Sequence, residues 1–398
     1  MKIKRKGTFA LMVLAMLAMG SQAVIARGAD WQQNAADGTA TAMSQPVKVF
    51  ILLGQSNMVG LGRVAPLSFK GSLTYAIRQD HLYPWLMDKS GHWTVAKEVR
   101  YVALMPWRGE NSQSMATLMN DYEHGFNGQG MAIWYNQPMS VQGHRWIGPE
   151  FGIEHSLTKV NRGPIMLLKS CNGNRSMGWD LLPPGSKGFT YTDRKGHVWQ
   201  YAGYGQTPNR WIKGTPKAER HPVRWYAGQE YDMDVANARY ALSHLNKFCP
   251  GAKSYKVVGF FLWQGEKDTG DRAYAEHYEQ NLASFIHHVR KDFNAPKAPF
   301  VMGTLGQDVL GVTKGNDGLV LKAQMALANP AKHPEFKGNV ATVYTHPLSK
   351  GGSGNGHYNG NAQTYMNVGL AMGKAMNKLL SHKKLSQNGV SMLAAIPQ

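Results

Sequence analysis

Five short apolar runs, rich in β-branched and aromatic residues, constrain the fold of this chain more than any other feature. Each is followed by turn residues, and they span residues 47–53, 165–169, 256–263, 299–303 and 340–344. Between several of them, apolar side chains recur every three or four residues, over 273–293 and 365–379, and Pro149-Glu150 opens a further helix. Strands that alternate with helices predict a three-layer α/β/α domain around a mainly parallel sheet of five strands.

The N-terminus has the pattern of a secretory signal peptide over residues 1–23. Basic residues at 2–6 precede an apolar stretch, which ends in the small-residue site Ser21-Gln22-Ala23. No later apolar run is long enough for a transmembrane anchor, so we expect a secreted or periplasmic protein.

The remaining chain is long enough for a single domain, which we place at residues 47–380. Two long stretches, 62–147 and 185–229, are rich in Gly, Pro, Trp and Tyr and lack clear periodicity. Such stretches within a compact domain are typically functional insertions. Residues 381–398 are predicted to form a loosely held tail.

Composition narrows the possible partners. The formal net charge is +19, but export and the lack of a basic helix or aromatic RNA-binding signature argue against nucleic acid. An acidic glycan fits the charge, and so does an ordinary solvated basic surface.

Cys171 and Cys249 permit a disulfide without requiring one. No metal site is predicted, since the adjacent His287 and His288 would point apart on a helix, and no cofactor motif occurs.

Polar clusters follow the predicted strands at the points where they end. They read GQSNM at 54–58, SCNGNRS at 170–176 and QGEKD at 264–268, and a fourth, GNGHYNGN at 354–361, precedes the last helix. Ligands of an open parallel sheet bind at the carboxyl ends of its strands. These clusters are therefore expected to meet in one crevice.

Together the clusters supply the parts of a serine esterase. Ser56 is the predicted nucleophile and His357 its general base, with His346 as a less favoured base. The predicted oxyanion donors are the backbone N–H groups of Ser56 and Gly173 and the side-chain amide of Gln264. Each residue alone is more often structural than catalytic, and the hypothesis rests on their combination at strand ends.

The motifs GQSNMVG, WQGEKD and HYNGNAQTY resemble the sialate O-acetylesterase-type branch of the SGNH, or GDSL-like, hydrolases. The segments GPEFGIEHSL at 148–157 and KSCNGNRSMGWDLLPP at 169–184 are also similar to blocks of that family. The resemblance implies a flavodoxin-like sheet and removal of O-acetyl groups from sialic acid or a polysaccharide. It also implies that Gln55, Asn57 and Asn174, beside the catalytic groups, contact the substrate.

The chain departs from the family pattern at two positions. Asn174 replaces the second glycine of a Gly-Gly pair, and Gly354 stands where the family has an aspartate, three residues before the histidine. An acid for His357 must then come from elsewhere. Glu266 is the first candidate, because its turn is expected in the same crevice and the resemblance implies a glutamate of this block. Asp268 is the second, and a dyad oriented by a backbone carbonyl is the third.

The second insertion interleaves aromatic and basic side chains. Trp199 and Trp211 lie among arginines and lysines there, which suggests a groove for an acidic or acetylated glycan. An insertion folded around its own aromatic residues explains the pattern equally well. An alternative for the whole chain is a catalytically impaired glycan-binding protein on the same fold, and a lipase or general arylesterase is less favoured.

Overall fold

A computed structural model describes residues 45–106 and 131–381. The predicted signal peptide lies outside the described residues, as does the predicted tail apart from Ser381. Within the described ranges, no helix combines the length and the hydropathy that a membrane span requires.

The centre of the fold is a seven-stranded sheet. Its strands, in chain order, are β1 (Val47–Gly54), β3 (Ala96–Pro106), β4 (Met131–Met139), β6 (Ile165–Lys169), β10 (Tyr255–Trp263), β11 (Phe300–Gly303) and β12 (Val340–Val343). Their spatial order is β12-β11-β10-β1-β6-β3-β4. All neighbouring pairs are parallel except β3 and β4, which are antiparallel.

The predicted fold class, a mainly parallel α/β sheet with helices, is confirmed, and all five predicted strands are present. The sheet nevertheless has seven strands rather than five, because β3 and β4 come from the stretch predicted to be a loop insertion. In β3, alternate residues from Val99 to Met105 pack on opposite faces of the sheet. A strand that is buried on both faces reads as a continuous apolar run. Here no turn signal separates that run from the irregular sequence around it, which explains why the sequence pattern missed it.

Helices cover both faces of the sheet. The helices are α1 (Ser56–Val59), α2 (Leu73–Arg78), α3 (Glu150–Thr158), α4 (Gln229–Ser243), α5 (Leu245–Phe248), α6 (Glu266–Thr269), α7 (Arg272–Asp292), α8 (Gly315–Leu327) and α9 (Ala362–Leu380). Helices α2, α3 and α9 share one apolar cluster with the sheet, and α4, α7 and α8 share the other. Short 3-10 turns occur at Pro84–Leu86, Lys217–Glu219, Pro334–Phe336, His346–Leu348 and His357–Gly360.

Strand β1 divides the core between these two layers. Phe50 and Leu52 belong to the cluster with α9, whereas Val49, Ile51 and Leu53 belong to the cluster with α7. Each of these side chains is at most 2% exposed. Burial of a large apolar side chain stabilises a fold by ~1.5–3 kcal/mol. Strand β1 therefore stabilises both apolar clusters.

Two smaller sheets complete the described structure. Strands β2 (Gly62–Arg63) and β5 (Trp146–Ile147) form an antiparallel pair. Strands β7 (Phe189–Thr192), β8 (Val198–Tyr201) and β9 (Arg210–Ile212) form an antiparallel sheet within the second predicted insertion. The Tyr201 hydroxyl and the Arg210 guanidinium both contact the Asp271 carboxylate, at 3.0 and 2.8 Å, and so attach this small sheet to the start of α7.

Candidate active site

The carboxyl end of β1 lies at a switch point of the central sheet. Strand β6 is its neighbour on one side and β10 on the other, and the loops after these three strands carry Ser56, Gly173 and Gln264. Crevices that bind ligands in open α/β sheets lie at such points. A cavity of about 830 Å³ opens here.

The cavity brings together most of the predicted site residues. Its lining includes Ser56, Gly173 and His357, which come from distant parts of the sequence. Gln55, Asn174 and Glu266 line it as well. Gln264 and Asn57 lie buried beside it, whereas Trp199 and Trp211 belong to the small β7–β9 sheet and do not line it.

Gly54 determines how the chain enters the site. Its φ of +145° is a conformation that side chains rarely adopt, and an added Cβ would lie 2.4 Å from the Trp263 carbonyl oxygen. The absence of a side chain thus lets the ends of β1 and β10 approach each other. The next backbone N–H, of Gln55, donates to that same carbonyl at 3.2 Å. Ser56 then begins the short helical turn α1.

Gln55 ties the loop after β10 to the serine turn. Its Oε1 accepts hydrogen bonds from the Gln264 side chain and from the Lys267 backbone N–H, each at 3.3 Å. Because the Gln55 side chain is 2% exposed, these contacts hold two neighbouring loops in one fixed arrangement.

Gly173 lies next to the serine. A Cβ built on Gly173 would have Ser56 Cβ, at 3.8 Å, as its nearest neighbour. The following residue, Asn174, adopts a φ of +59°, the left-handed conformation that Asn tolerates better than most residues other than Gly. The replacement of the second glycine of the family pair therefore leaves a turn that the chain can form.

The side-chain amide of Gln264 is engaged by other groups. Its nitrogen donates to Asp268 Oδ2 at 2.6 Å and to the Arg175 carbonyl at 2.9 Å, and its Oε1 accepts from the Tyr278 hydroxyl at 2.7 Å. Both acceptors are closer to the nitrogen than the Gln55 oxygen, at 3.3 Å, so the two amide hydrogens are used mainly on them. The predicted role of Gln264 as an oxyanion donor stays a prediction.

Asp268 anchors the loop that follows β6. Its carboxylate accepts from the backbone N–H groups of Met177 and Gly178, both at 2.8 Å, besides the Gln264 amide. Complete burial raises the pKa of Asp268 to about 7, against the lowering effect of these three hydrogen bonds. Asp268 does not line the cavity, and its oxygens are used within the loops.

His357 lies in a loop with an unusual backbone. His357, Tyr358 and Asn359 have φ values of 51°, 53° and 50°, and such left-handed residues cost about 1–3 kcal/mol each. Buried Tyr358 stabilises this loop, because its ring stacks 5.9 Å from that of Trp263 and its hydroxyl accepts from the Gly306 N–H at 3.2 Å. Burial lowers the pKa of His357 below its usual 6.5, which favours the neutral imidazole that a general base requires.

The two predicted acids do not contact the histidine. Among residues 45–106 and 131–381, no hydrogen bond or ion pair joins His357 to Glu266 or to Asp268. Glu266 Oε2 instead accepts from Gln307 Nε2 at 3.0 Å, and burial raises the pKa of Glu266. The alternative base His346 does not line the cavity, and its Nδ1 lies 2.9 Å from the Gly306 carbonyl.

Gln307 links the Glu266 turn to the histidine loop. While its Nε2 donates to Glu266, its Oε1 accepts from the Gly354 N–H at 3.0 Å. A Cβ on Gly354 would lie 2.8 Å from this Oε1 and 3.2 Å from Asn57 Nδ2. Gln307 thus occupies the space that any side chain at position 354 would enter.

Asn57, next to the serine, is 1% exposed. Neither atom of its side-chain amide has a hydrogen-bond partner in the part of the chain that the structure describes. Buried amides without partners are uncommon away from functional sites.

Several further residues line the cavity that sequence reasoning missed. They include Trp134, Asn209, Lys267, Asp271, Tyr274 and Asn355. Asp271 caps α7 by accepting a hydrogen bond from the Ala273 N–H at 2.9 Å. An Asp directly before a run of helical periodicity is the sequence signal that could have identified this residue. Trp134, 44% exposed, gave no such signal because its strand β4 was not recognised.

Trp199 and Trp211 are both packed within the insertion. The indole N–H of Trp199 donates to Asp193 at 3.0 Å, and the Arg210 guanidinium carbon lies 4.9 Å from its ring centroid. Trp211 is 8% exposed.

Both cysteines are free buried thiols, and no metal-binding group of three or more His, Cys, Asp or Glu occurs within the described residues.

Comparison with known proteins gives a family match over the second half of the sequence. Residues 201–378 match the sequence model of a family described as carbohydrate esterase, sialic acid-specific acetylesterase. The matched segment contains Gln264, Glu266 and His357 and begins after Ser56 and Gly173. It confirms the predicted resemblance to the sialate O-acetylesterase-type branch and the prediction of an ester-hydrolysing enzyme of the carbohydrate esterase kind.

Solved structures with similar folds include three that differ widely from this chain in sequence. A protein from Arabidopsis thaliana is 17% identical over 85% of this chain and 99% of its own, with a TM-score of 0.43. A carbohydrate acetylesterase from Xanthomonas citri is 13% identical over 85% and 58%, with a TM-score of 0.47. NanS is 15% identical over 75% and 78%, with a TM-score of 0.37. No curated protein matched the sequence.

Proposed function

We propose, on the premise that residues 201–378 belong to the sialic acid-specific acetylesterase family of carbohydrate esterases, that this protein removes O-acetyl groups from a carbohydrate by serine catalysis. The observation that supports this most is that Ser56, Gly173 and His357 line one cavity at the carboxyl ends of β1 and β6. The substrate is an acetylated glycan or sialic acid, and no cofactor takes part.

In the proposed reaction, Ser56 Oγ attacks the carbonyl carbon of the acetyl ester while His357 accepts the hydroxyl proton. The tetrahedral intermediate collapses, the sugar oxygen leaves with the proton from His357, and the acetyl group stays on Ser56. Water, deprotonated by His357, then attacks the acetyl-serine; as the bond to Ser56 Oγ breaks and acetate leaves, His357 returns the proton to that oxygen. The lowered pKa of His357 keeps the base neutral at the start of each cycle.

The negative charge that develops on the carbonyl oxygen needs hydrogen-bond donors fixed in advance. We assign this role to the backbone N–H groups of Ser56 and Gly173, because both residues line the cavity and a Cβ built on Gly173 would lie 3.8 Å from Ser56 Cβ. Loss of one such donor typically costs ~10²–10³ in rate. Gln264 is proposed to position the surrounding loops, through Gln55 and Asp268, rather than to touch the oxyanion.

The proposed catalytic pair is a dyad. Glu266 and Asp268 have other partners, so His357 is oriented by its own backbone, which the packing of Tyr358 holds in place. This differs from the third alternative that the sequence left open, a dyad oriented by a backbone carbonyl, because no carbonyl of the described residues bonds to the His357 ring.

Other residues that line the cavity suit a sugar. Trp134 offers an exposed aromatic face, Asn209 and Asn355 offer amides, and Lys267 and Asp271 offer charged groups. Sugars bind to such mixtures of an aromatic face and hydrogen-bonding groups. Acetylated carbohydrates of this kind occur outside the cytoplasm, in agreement with the proposed cleavage of residues 1–23 and release to the periplasm or beyond.

The decisive test is acetate release by Ser56→Ala, measured on acetylated sialic acid, acetylated xylan, acetylated pectin and a small aryl acetate. We expect the activity to fall by at least 10³-fold on every substrate that the unmodified protein hydrolyses, with unchanged thermal unfolding. Ser243→Ala is the matched control, because Ser243 is exposed at the end of α4, away from the cavity. Retained activity in Ser56→Ala would contradict the assignment of the nucleophile.

The second candidate, a glycan-binding protein without catalysis, is favoured by one observation. No carboxylate contacts His357 in the described residues. A fluorophosphonate probe separates the two, since an activated Ser56 forms a covalent adduct and an unactivated serine does not. Mass spectrometry should find the adduct on the peptide that contains Ser56, and its absence together with bound glycan would support the second candidate.

A further inference from the structure

A second pocket, of about 390 Å³, lies on the small β7–β9 sheet and shares no lining residue with the catalytic cavity. Its lining includes Gln200, Gln206, Trp211, Lys213 and Arg220. The sequence suggested that Trp211 lines a glycan groove in the second insertion, and in the structure Trp211 lines this pocket.

The pocket is positively charged. Lys213 and Arg220 contribute two cations, and no acidic residue lines it. Neither cation pairs with a carboxylate of residues 45–106 or 131–381. Pockets lined by cations without internal partners attract anionic ligands.

Arg220 is held in a fixed orientation. Its Nε donates to the Thr215 carbonyl at 3.0 Å, and its guanidinium carbon lies 4.3 Å from the ring centroid of Trp211. In the described part of the chain its two terminal nitrogens have no hydrogen-bond partner. A guanidinium fixed by stacking, with both terminal nitrogens open, is suited to bidentate binding of a carboxylate.

The neutral side chains of the pocket add hydrogen-bonding groups of both kinds. Gln200 uses its nitrogen on the carbonyls of Phe189 and Tyr201, at 3.1 and 3.0 Å, which leaves its oxygen as an acceptor. Gln206 uses its oxygen on the Gly203 N–H at 2.8 Å, which leaves its nitrogen as a donor. Sugar hydroxyls both donate and accept, so they can use these two groups together.

The two binding places are close together along the chain. Asn209 lines the catalytic cavity and Trp211 lines the second pocket. Extended backbone advances about 3.3 Å per residue, so their Cα atoms lie roughly 7 Å apart. A ligand longer than one sugar unit can therefore occupy both.

We propose that the pocket binds a carboxylate-bearing sugar unit of the same glycan whose acetyl ester enters the catalytic cavity. This proposal rests on the proposed esterase function and adds a substrate class to it, an acidic oligosaccharide or polysaccharide. Lys213 and Arg220 bind the carboxylate, and Gln200 and Gln206 bind hydroxyls of the same unit.

The test is titration calorimetry of the full-length protein with hexagalacturonate, and with xylohexaose as the uncharged probe. We expect hexagalacturonate to bind at least tenfold more tightly than xylohexaose, with an affinity that falls as salt rises. Lys213→Gln with Arg220→Gln should weaken hexagalacturonate binding at least tenfold. Arg194→Gln with Lys195→Gln is the control of equal charge change, on exposed residues outside the pocket, and should leave binding within threefold.

A single variant at an exposed position, Lys213→Glu, keeps the test valid if the double variant does not fold. It should weaken binding of hexagalacturonate by at least as much. Equal affinity for the two oligosaccharides, or unchanged binding in the Lys213 variants, would overturn the proposal.

Hydrolysis assays separate this proposal from the proposed function. The Lys213 and Arg220 variants should keep full activity on an aryl acetate and on acetylated xylan, and should show a raised KM on acetylated pectin. If the protein releases no acetate from any substrate but binds hexagalacturonate through Lys213 and Arg220, the esterase proposal fails and the anionic site remains. If the protein releases acetate but binds hexagalacturonate and xylohexaose with equal affinity, the esterase proposal stands and the proposal of an anionic site fails.

Discussion

The contact between Gly354 and Gln307 gives a prediction with a measurable coupling energy. Gly354→Ala puts a Cβ 2.8 Å from Gln307 Oε1, closer than such atoms normally come, so the amide must move. It would lose its hydrogen bonds to the Gly354 N–H and to Glu266. A neutral hydrogen bond contributes about 1 kcal/mol and one to a charged group ~1.5–3 kcal/mol, so we expect a loss of about 2–4 kcal/mol in the free energy of unfolding.

Gln307→Ala breaks the same two hydrogen bonds from the other side and should cost a similar amount, about 2–4 kcal/mol. In the double variant the Gly354→Ala methyl group meets no Gln307 amide, and only its looser contacts with the Tyr358 hydroxyl at 3.1 Å and Asn57 Nδ2 at 3.2 Å remain, so the second substitution adds much less than it costs alone. The double variant should therefore also lose about 2–4 kcal/mol, rather than the sum of ~4–8 kcal/mol that independent sites would give.

The assay is urea unfolding of the four proteins at one pH, with midpoints compared at constant slope. Gly356→Ala is a control in the same loop, since a Cβ there would meet its nearest neighbour only at 3.6 Å. Additive losses, to within about 0.5 kcal/mol, would refute the claim that Gln307 fills the space beside Gly354.

Four further predictions follow from the site and its surroundings. Because burial lowers the pKa of His357, the acidic limb of kcat/KM for acetate release should have its midpoint below pH 6.5; a midpoint at or above 6.5 would contradict this. Glu266→Gln should reduce kcat by less than about tenfold, roughly 1.4 kcal/mol, and a larger loss would favour it as the acid of a triad. Burial raises the pKa of Glu230 from 4.5 to about 7, so the folded protein holds this proton more tightly than the unfolded chain does. The resulting contribution to the free energy of unfolding is fully present below pH 4.5 and is lost as pH rises through 7. Glu230→Gln should therefore flatten the pH dependence of the unfolding free energy between about pH 5 and pH 8, and an unchanged slope would exclude this group. Lys169→Met leaves Glu150, its partner at 2.7 Å, buried without a counter-charge, and thermal or urea unfolding should show a loss of about 3–5 kcal/mol.

Much of the fold could be predicted from local sequence. The strands that were recognised each carry a compact apolar run, and α7 and α9 carry apolar residues at helical spacing. Strand β3 was missed although its run from Val99 to Met105 is as apolar, because no turn signal separated it from the surrounding irregular sequence. Its partner β4 contains Asn136, Gln137 and Pro138, residues with low preference for strands, and pairs at the edge of the sheet, where such residues are tolerated.

The candidate site was predictable to a similar extent. Ser56, Gly173 and His357 follow from the rule that polar groups at the ends of parallel strands meet, together with the family resemblance. The role of Glu266 did not follow in the same way, since the partner of a carboxylate depends on which side chains the fold brings near it. Gln307, which binds Glu266, lies in a loop after β11 that carries no recognisable motif.

The sequence by itself determined five strands of the central sheet, the helices α3, α7 and α9 and the polar residues at the strand ends, because these depend on neighbours that are close in the chain. Only the tertiary structure decided that Gln264 and Asp268 bind each other, that Gln307 fills the space beside Gly354, and that Trp211 lines a pocket of its own. Gln264 and Asp268 lie in one turn, but Asp268 also binds the loop after β6. These contacts and those of Gln307 depend on how the loops and the whole sheet pack rather than on any local pattern.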